Sequence, residues 1–235
     1  MNEGTGGEMA GFWDQRAREN PLWFINSALD FDHPDEAAFW ASGEQALEDS
    51  LALFDLRLDP SQVVLEIGCG IGRITRALAS RAARVVAIDV SPGMIAGARE
   101  ALAGIDNIEL LVGNGVDLAG CPDATADVVY SFVTFQHIPD PEVTCGYLRD
   151  MGRVLRPGGW ALFQASDDPA LHRPERWAGQ APTANGPPTC LHPSWLGSAL
   201  PRERLEQALA DGGMTVSRRV GEGTLFCFTL AQKTV

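Results

Sequence analysis

Apolar positions between residues 60 and 165 switch between two spacings. Val63–Ile67 is a run rich in β-branched residues, which predicts a strand. From Ile71 the apolar positions Ile71, Ile74, Leu78 and Ala82 recur at helical spacing, and Val85–Ile88 is again a short strand. That sequence of patterns is one βαβ unit. Ser91 and Pro92 supply an N-cap and a proline at the first helical position, and Gly104 closes the helix they start. Ile108–Val112 and Asp127–Val133 read as the third and fourth strands. Pro141–Leu155 is amphipathic through Val143, Tyr147, Met151 and Val154. It stops at the breaker "RPGG", after which Trp160–Ala165 is a fifth strand. A short helix is predicted from Arg202 to Ala210. Met214–Val220 and Thr224–Ala231 then read as a hairpin joined by Gly221, Glu222 and Gly223.

Alternating βα units predict an α/β fold, a Rossmann-like, doubly wound, seven-stranded sheet that is mostly parallel with an antiparallel C-terminal hairpin strand. In such sheets ligands sit beyond the carboxyl ends of the strands, where the strand order reverses. Two segments fall outside this pattern. Residues 1–60 look helical and form an N-terminal cap or lid over a domain of residues 61–235. Residues 166–201, with seven of the fifteen prolines and little periodicity, are a substrate-side insertion. Trp13, Trp23, Trp40, Trp177 and Trp195 all lie in these two segments. They wall an apolar pocket or glue the segments to the core, and the sequence leaves both readings open.

Composition narrows the partners. A chain of 235 residues that is 45% hydrophobic and 21% charged can bury one full core. The formal charge of −13 is concentrated at the N-terminus, where residues 1–60 carry 13 acids against three arginines. Nucleic acid, which needs a basic face, is not an expected partner, and an anionic membrane surface is disfavoured likewise. There is no basic leader and no run near the roughly 18–20 apolar residues of a membrane span, so a cytoplasmic location is expected. The expected partner is a small molecule, on a monomer or homodimer. Cys69, Cys121, Cys145, Cys190 and Cys227 are odd in number and form no C-x-x-C pair. Neither a disulfide framework nor a metal site is indicated, and they read as reduced, mostly buried thiols.

The chemistry concentrates after the first strand. Gly68, Gly70 and Gly72 alternate there, with Glu66 two residues before them. A glycine turn between strand and helix lets the main chain approach a ligand and aims N–H groups at it. The dinucleotide fingerprint needs glycine or alanine five residues after the first glycine, and Arg73 stands there; no Gly-Lys-Ser/Thr follows, which excludes a Walker loop. A carboxylate at Glu66 suits a cationic amine rather than a pyrophosphate. Asp89 ends the second strand, where one carboxylate can accept from both ribose hydroxyls. A ligand with a ribose and an amine but no pyrophosphate is S-adenosylmethionine. Arg73 is expected to pair with a surface acid, Asn114 to cap a turn or touch ligand, and His33, His172 and His192 to be solvated.

The motifs "VLEIGCGIGRIT", "AIDVS", "GNGVDL", "ADVVYSFVTFQHI" and "VLRPGG" occur in the order and spacing of one family. Over residues 60–165, and by its final hairpin to the C-terminus, the chain resembles the class I S-adenosylmethionine-dependent methyltransferases. The resemblance implies that Glu66, Gly68, Gly70 and Gly72 cradle the methionine part of S-adenosylmethionine and that Asp89 holds its ribose. It places Met94 near the adenine, Asn114 and Gly115 at the adenine edge, and the Phe132 backbone at the methionine end. Asn114 departs from the aspartate common in the family. The loop after strand four reads "SFVTFQHIPD" rather than the Asn-Pro-Pro-Tyr of enzymes that methylate DNA or glutamine, which favours a small acceptor with a hydroxyl, amine or carboxyl group. His137 in this loop is the candidate base, with Asp167, Asp168, His172 and His192 as spares; its alternative is to cap or line. Gln136, Trp13, Trp23, Trp177 and Trp195 are the expected substrate pocket, fitted to an apolar natural-product intermediate. Two further readings stay open: the same fold catalysing a non-methylating reaction such as a cyclisation, and a nucleotide-binding regulator or dehydrogenase.

Overall fold

Val63–Ile67 forms β1, at the centre of a seven-stranded sheet of order β3-β2-β1-β4-β5-β7-β6. The structure is a computed structural model and describes residues 3–168 and 192–234. β2 (Arg84–Asp89), β3 (Ile108–Val112), β4 (Ala126–Ser131) and β5 (Leu155–Ala165) lie parallel with β1. β7 (Cys227–Lys233) is antiparallel to β5 and to β6 (Met214–Val220). The order reverses between β1 and β4, so the crevice of a doubly wound sheet opens there.

The central strands read as unbroken apolar runs because helices cover both faces. One face buries Leu65, Val129 and Phe163 under α6 (Pro141–Val154) and α8 (Arg202–Asp211). The other buries Val64, Val85 and Leu162 under α3 (Glu36–Ala52), α4 (Thr75–Ala79) and α5 (Pro92–Ala101). Full burial of each such side chain contributes about 1.5–3 kcal/mol. Cys69, Cys121, Cys145 and Cys227 are free and buried among these groups.

Four boundaries differ from the sequence pattern. The helix expected from Ile71 starts only at Thr75, because residues 71–74 are turns. β4 stops at Ser131 rather than Val133, since Val133 takes a φ of +54°, which no strand accommodates. β5 begins at Leu155, where Leu155 pairs with Ala126; a bulge then restores register at Val128 and Trp160, so the Pro157–Gly159 breaker lies inside the strand. The hairpin turn is also longer, and β7 starts at Cys227 instead of Thr224.

The described residues up to Ala52 are mostly helical. α1 (Glu3–Glu19) lies across α5, and α2 (Pro21–Ile25) follows it. Asp14 ties α1 to the start of α5, its Oδ1 accepting from Ser91 Oγ at 2.8 Å and Gly93 N–H at 2.6 Å. Arg16, only 1% exposed, sits between the Phe12 and Phe24 rings and pairs with Glu19 at 3.0 Å. α1 carries four glycines in 17 residues. Gly6 abuts the Asn114 carbonyl, whereas Gly4, Gly7 and Gly11 have nothing within 4 Å of where a side chain would stand. α7 (Pro193–Leu196) returns from the undescribed segment to dock beside the short 3₁₀ turn Phe135–His137.

Candidate functional site

At the carboxyl ends of β1, β2 and β4 lies a cavity. Its floor is the glycine turn. Gly68 has a φ of +77°, and a Cβ there would stand 2.1 Å from Thr134 Oγ1, so the turn closes only around glycine. α1 and α2 supply the roof through Met9, Trp13, Phe24 and Ile25.

Two carboxylates end adjacent strands inside this cavity. Glu66, 3% exposed, accepts from Thr75 Oγ1 at 2.6 Å. Burial pushes its carboxyl up to about 7, against the opposing pull of the Thr75 hydroxyl and the Arg73 charge. Asp89 accepts from Gly70 N–H at 2.8 Å and Ser91 N–H at 2.9 Å. Burial raises its carboxyl too, while these N–H groups pull it down. Among the described residues neither acid makes an ion pair.

Arg73 overturns its expected surface pairing. It is 8% exposed and lines the cavity, with Nη1 donating to Ser42 O and Ser42 Oγ at 3.3 Å each and the guanidinium 5.8 Å from the Phe132 ring. Its Nε is buried without a hydrogen-bond partner. The turn at 71–74 aims the side chain inward, and Gly43 of α3 covers its carbonyl so closely that no Cβ would fit. Burial lowers its affinity for the proton.

The loop after β4 forms the remaining wall. Val133, at left-handed φ, gives its N–H to Gln164 Oε1 at 3.0 Å. Gln164 Nε2 donates to Leu225 O at 2.6 Å and Gln136 Oε1 at 2.9 Å. His137 lines the cavity; its Nδ1 lies 2.7 Å from Trp195 O and its Nε2 3.3 Å from Gln136 Nε2. The Trp13 and Trp195 rings stand 5.4 Å and 5.2 Å from the His137 ring.

Of the residues singled out from the sequence, Glu66, Gly68, Gly70, Asp89, Met94, Gly115, Phe132, His137 and Trp13 line this one cavity. The others do not. Gly72 instead makes room for Leu102, whose Cδ1 would lie 2.4 Å from a Cβ. Asn114 is exposed and caps its own turn, Oδ1 accepting from Val116 and Asp117 N–H and Nδ2 donating to Asp117. Gln136 stands behind the wall, and Trp23 is stacked on Trp195 at 6.0 Å. Trp40 lies elsewhere, over Arg76. His192 is exposed, caps α7 and stacks on Phe12. Trp177, His172 and Cys190 fall outside the described residues. Sequence reasoning missed Thr134, Tyr147 and the roof residues Met9 and Ile25. Only Arg73, adjacent to the glycine turn, carried a readable signal. Among the described residues no cluster of His, Cys, Asp or Glu could hold a metal, and no helix is long and apolar enough to cross a membrane.

Residues 64–159 match the family described as "Methyltransferase domain". The chain is 35% identical over 104 residues to the malonyl-[acyl-carrier protein] O-methyltransferase of Serratia marcescens, covering 44% of this chain and 38% of that protein. It is 32% identical over 117 residues to the ubiquinone biosynthesis O-methyltransferase of Xanthomonas campestris pv. campestris, covering 46% and 48%. The matches thus span less than half the length of these curated relatives. In fold it is similar to a chain from the Haloferax volcanii complex that contains the Trm112 methyltransferase activator, with TM-score 0.63, 19% identity, and 92% and 97% of the two chains covered. It is also similar to a SAM-dependent methyltransferase from Methanosarcina mazei, with TM-score 0.60, 22% identity, and 78% and 97% covered.

Proposed function

Because residues 64–159 form a methyltransferase domain of the class I S-adenosylmethionine-dependent fold, we propose that this chain methylates a small, largely apolar acceptor through a hydroxyl, amine or carboxyl group. The observation that carries the reading is the pair of carboxylates, buried Glu66 and half-buried Asp89, which make no ion pair among the described residues and meet in one cavity with a glycine-floored turn. A desolvated carboxylate without a countercharge is costly, and a ligand bearing an ammonium and a vicinal diol relieves that cost at both positions.

Glu66 would accept from the ligand's ammonium and Asp89 from its ribose hydroxyls, with Met94 and Gly115 bordering the adenine. Arg73, whose Nε is buried without a hydrogen-bond partner, would take the carboxylate. Bound there, S-adenosylmethionine supplies a methyl group on a sulfonium, open to in-line displacement. Charge is neutralised on the way to product, so the protein contributes mainly alignment and exclusion of water. Trp13, Phe24, Val133, Ile138 and Tyr147 provide the apolar wall for that. His137 takes the acceptor's proton at Nε2 once the Gln136 amide 3.3 Å away gives up that lone pair, an effect typically worth about 10²–10⁴ in rate. The apolar wall favours an acceptor of the kind met in natural-product biosynthesis.

The test is calorimetry with S-adenosylmethionine and S-adenosylhomocysteine, followed by a mass-spectrometric screen of phenols, amines and acids for a gain of one methylene. Binding of both nucleosides together with a methylated product is expected. Absence of nucleoside binding overturns the proposal.

A further inference from the structure

Gln164 is 0% exposed on β5, yet its side chain makes three hydrogen bonds, two of them to backbone groups whose polarity cannot change. The Val133 N–H can only donate, so the atom facing it is Oε1. The Leu225 carbonyl can only accept, so the atom facing it is Nε2. The orientation of the Gln164 amide is therefore fixed by the chain itself. Its second Nε2 hydrogen points at Gln136, which must answer with Oε1. That leaves Gln136 to present its own NH₂ to His137 Nε2, at 3.3 Å. A donor there requires a lone pair on Nε2. On the other side of the ring the Trp195 carbonyl, 2.7 Å from Nδ1, requires a hydrogen on Nδ1. Two independent lines of polarity, from β5 and from α7, meet on one imidazole and agree.

The same amide holds the loop in place. Val133 is β-branched and sits at φ +54°, a conformation disfavoured for such a side chain unless its surroundings impose it. The bond from its N–H to Gln164 is such a constraint, and the turn it secures leads directly into Phe135–His137.

We propose that Gln164 is a positioning residue: through Gln136 it keeps His137 in the Nδ1–H tautomer with the lone pair on Nε2, and through Val133 it fixes the turn that carries the ring. The use of that lone pair as a base rests on the methyl-transfer reading above and needs the Gln136 amide to yield it to the acceptor, but the tautomer itself rests on neither.

The experiment is long-range ¹H–¹⁵N correlation on the full ¹⁵N-labelled chain, with the His137 signals identified by their loss in His137→Gln. The wild-type ring is expected to show a protonated Nδ1 and a bare Nε2. Gln164→Glu can still accept from Val133 N–H but cannot donate to Gln136. Gln136 then turns its oxygen toward His137, and a proton appears on Nε2. Gln136→Leu removes the donor and gives a mixture of tautomers; it carries the test should Gln164→Glu fail to fold. A wild-type ring protonated at Nε2 alone overturns the proposal. So does a folded Gln164→Glu, or in its absence a folded Gln136→Leu, with the wild-type tautomer. Failure of S-adenosylhomocysteine to bind would remove the methyl-transfer reading and leave this result standing.

Discussion

Gly70 donates its N–H to Asp89 Oδ2 at 2.8 Å, across the turn from β1 to the end of β2. The acid assigned to the ribose is thus also the brace of the glycine turn, and the two roles separate by substitution. Asp89→Ala loses both. Asp89→Asn keeps one oxygen for a backbone N–H but cannot accept from two hydroxyls and two N–H groups together. Affinity for S-adenosylhomocysteine, read by calorimetry, should fall roughly ten- to hundredfold in Asp89→Asn, the equivalent of about 1.5–3 kcal/mol, and further in Asp89→Ala. Unchanged affinity in both would remove Asp89 from the site.

Glu66 sets a pH dependence. Its carboxyl is raised in the folded chain to about 7 from an ordinary 4.5, so the protonated form is the comfortable one in the empty cavity. The stability this contributes is full below the ordinary value and is lost as pH rises through about 7. An ammonium ligand needs the ionised form. Affinity for S-adenosylhomocysteine should therefore climb, by up to about tenfold per pH unit, as pH approaches 7, then decline as the ligand's own amine loses its proton near pH ~8. Glu66→Gln should flatten the acid limb; a limb that persists assigns the titration elsewhere.

Arg73 discriminates between ligands that differ only in the amino-acid tail. Arg73→Met should weaken S-adenosylhomocysteine at least tenfold, a charge-assisted bond being worth about 1.5–3 kcal/mol, while 5′-methylthioadenosine, which has no carboxylate, binds as before. Equal losses for the two ligands would place Arg73 in packing alone.

Asp14 fastens the roof. Removing its two bonds to the start of α5 in Asp14→Ala should cost about 1 kcal/mol, as loss of a helix cap does, and lower Tm by about 2–4 °C. Nucleoside affinity should fall with it, because Met9 and Trp13 lie on the same helix. A lower Tm with affinity unchanged would detach the roof from ligand binding.

Gly197 docks α7 on the Phe135–His137 turn. It has a φ of +61°, and a Cβ there would meet Gln136 O at 1.7 Å. Gly197→Ala should push Trp195 off His137, visible as a shift in tryptophan fluorescence, with turnover reduced and cofactor affinity retained. An unaltered spectrum would show that the segment docks without this contact.

The sheet was legible because both its periodicities are local: Val63–Ile67 and Ile108–Val112 are strands at the expected residues. The floor of the site was legible for the same reason, since Glu66, the glycines and Asp89 lie within a few residues of strand ends. What stayed hidden depends on distant chain. Arg73 is buried only because Ser42 and Gly43 of α3 close over it, thirty residues earlier in sequence. Gln164 reads as an ordinary strand residue until Val133, Gln136 and Leu225 converge on it. Asn114 took the local one of its two expected readings, its side chain capping its own turn.

The glycines of α1 set where the molecule opens first. Relative to alanine each costs a helix about 1 kcal/mol, and Gly4, Gly7 and Gly11 gain no close contact in return. A 17-residue helix with four of them holds its shape by what Met9, Phe12 and Trp13 bury beneath it rather than by its own backbone. Its amides accordingly belong to the fast-exchanging end of the local-unfolding spectrum while those of β1 and β4 belong to the slow end, and the route by which solvent first reaches the glycine turn is the fraying of residues 3–11.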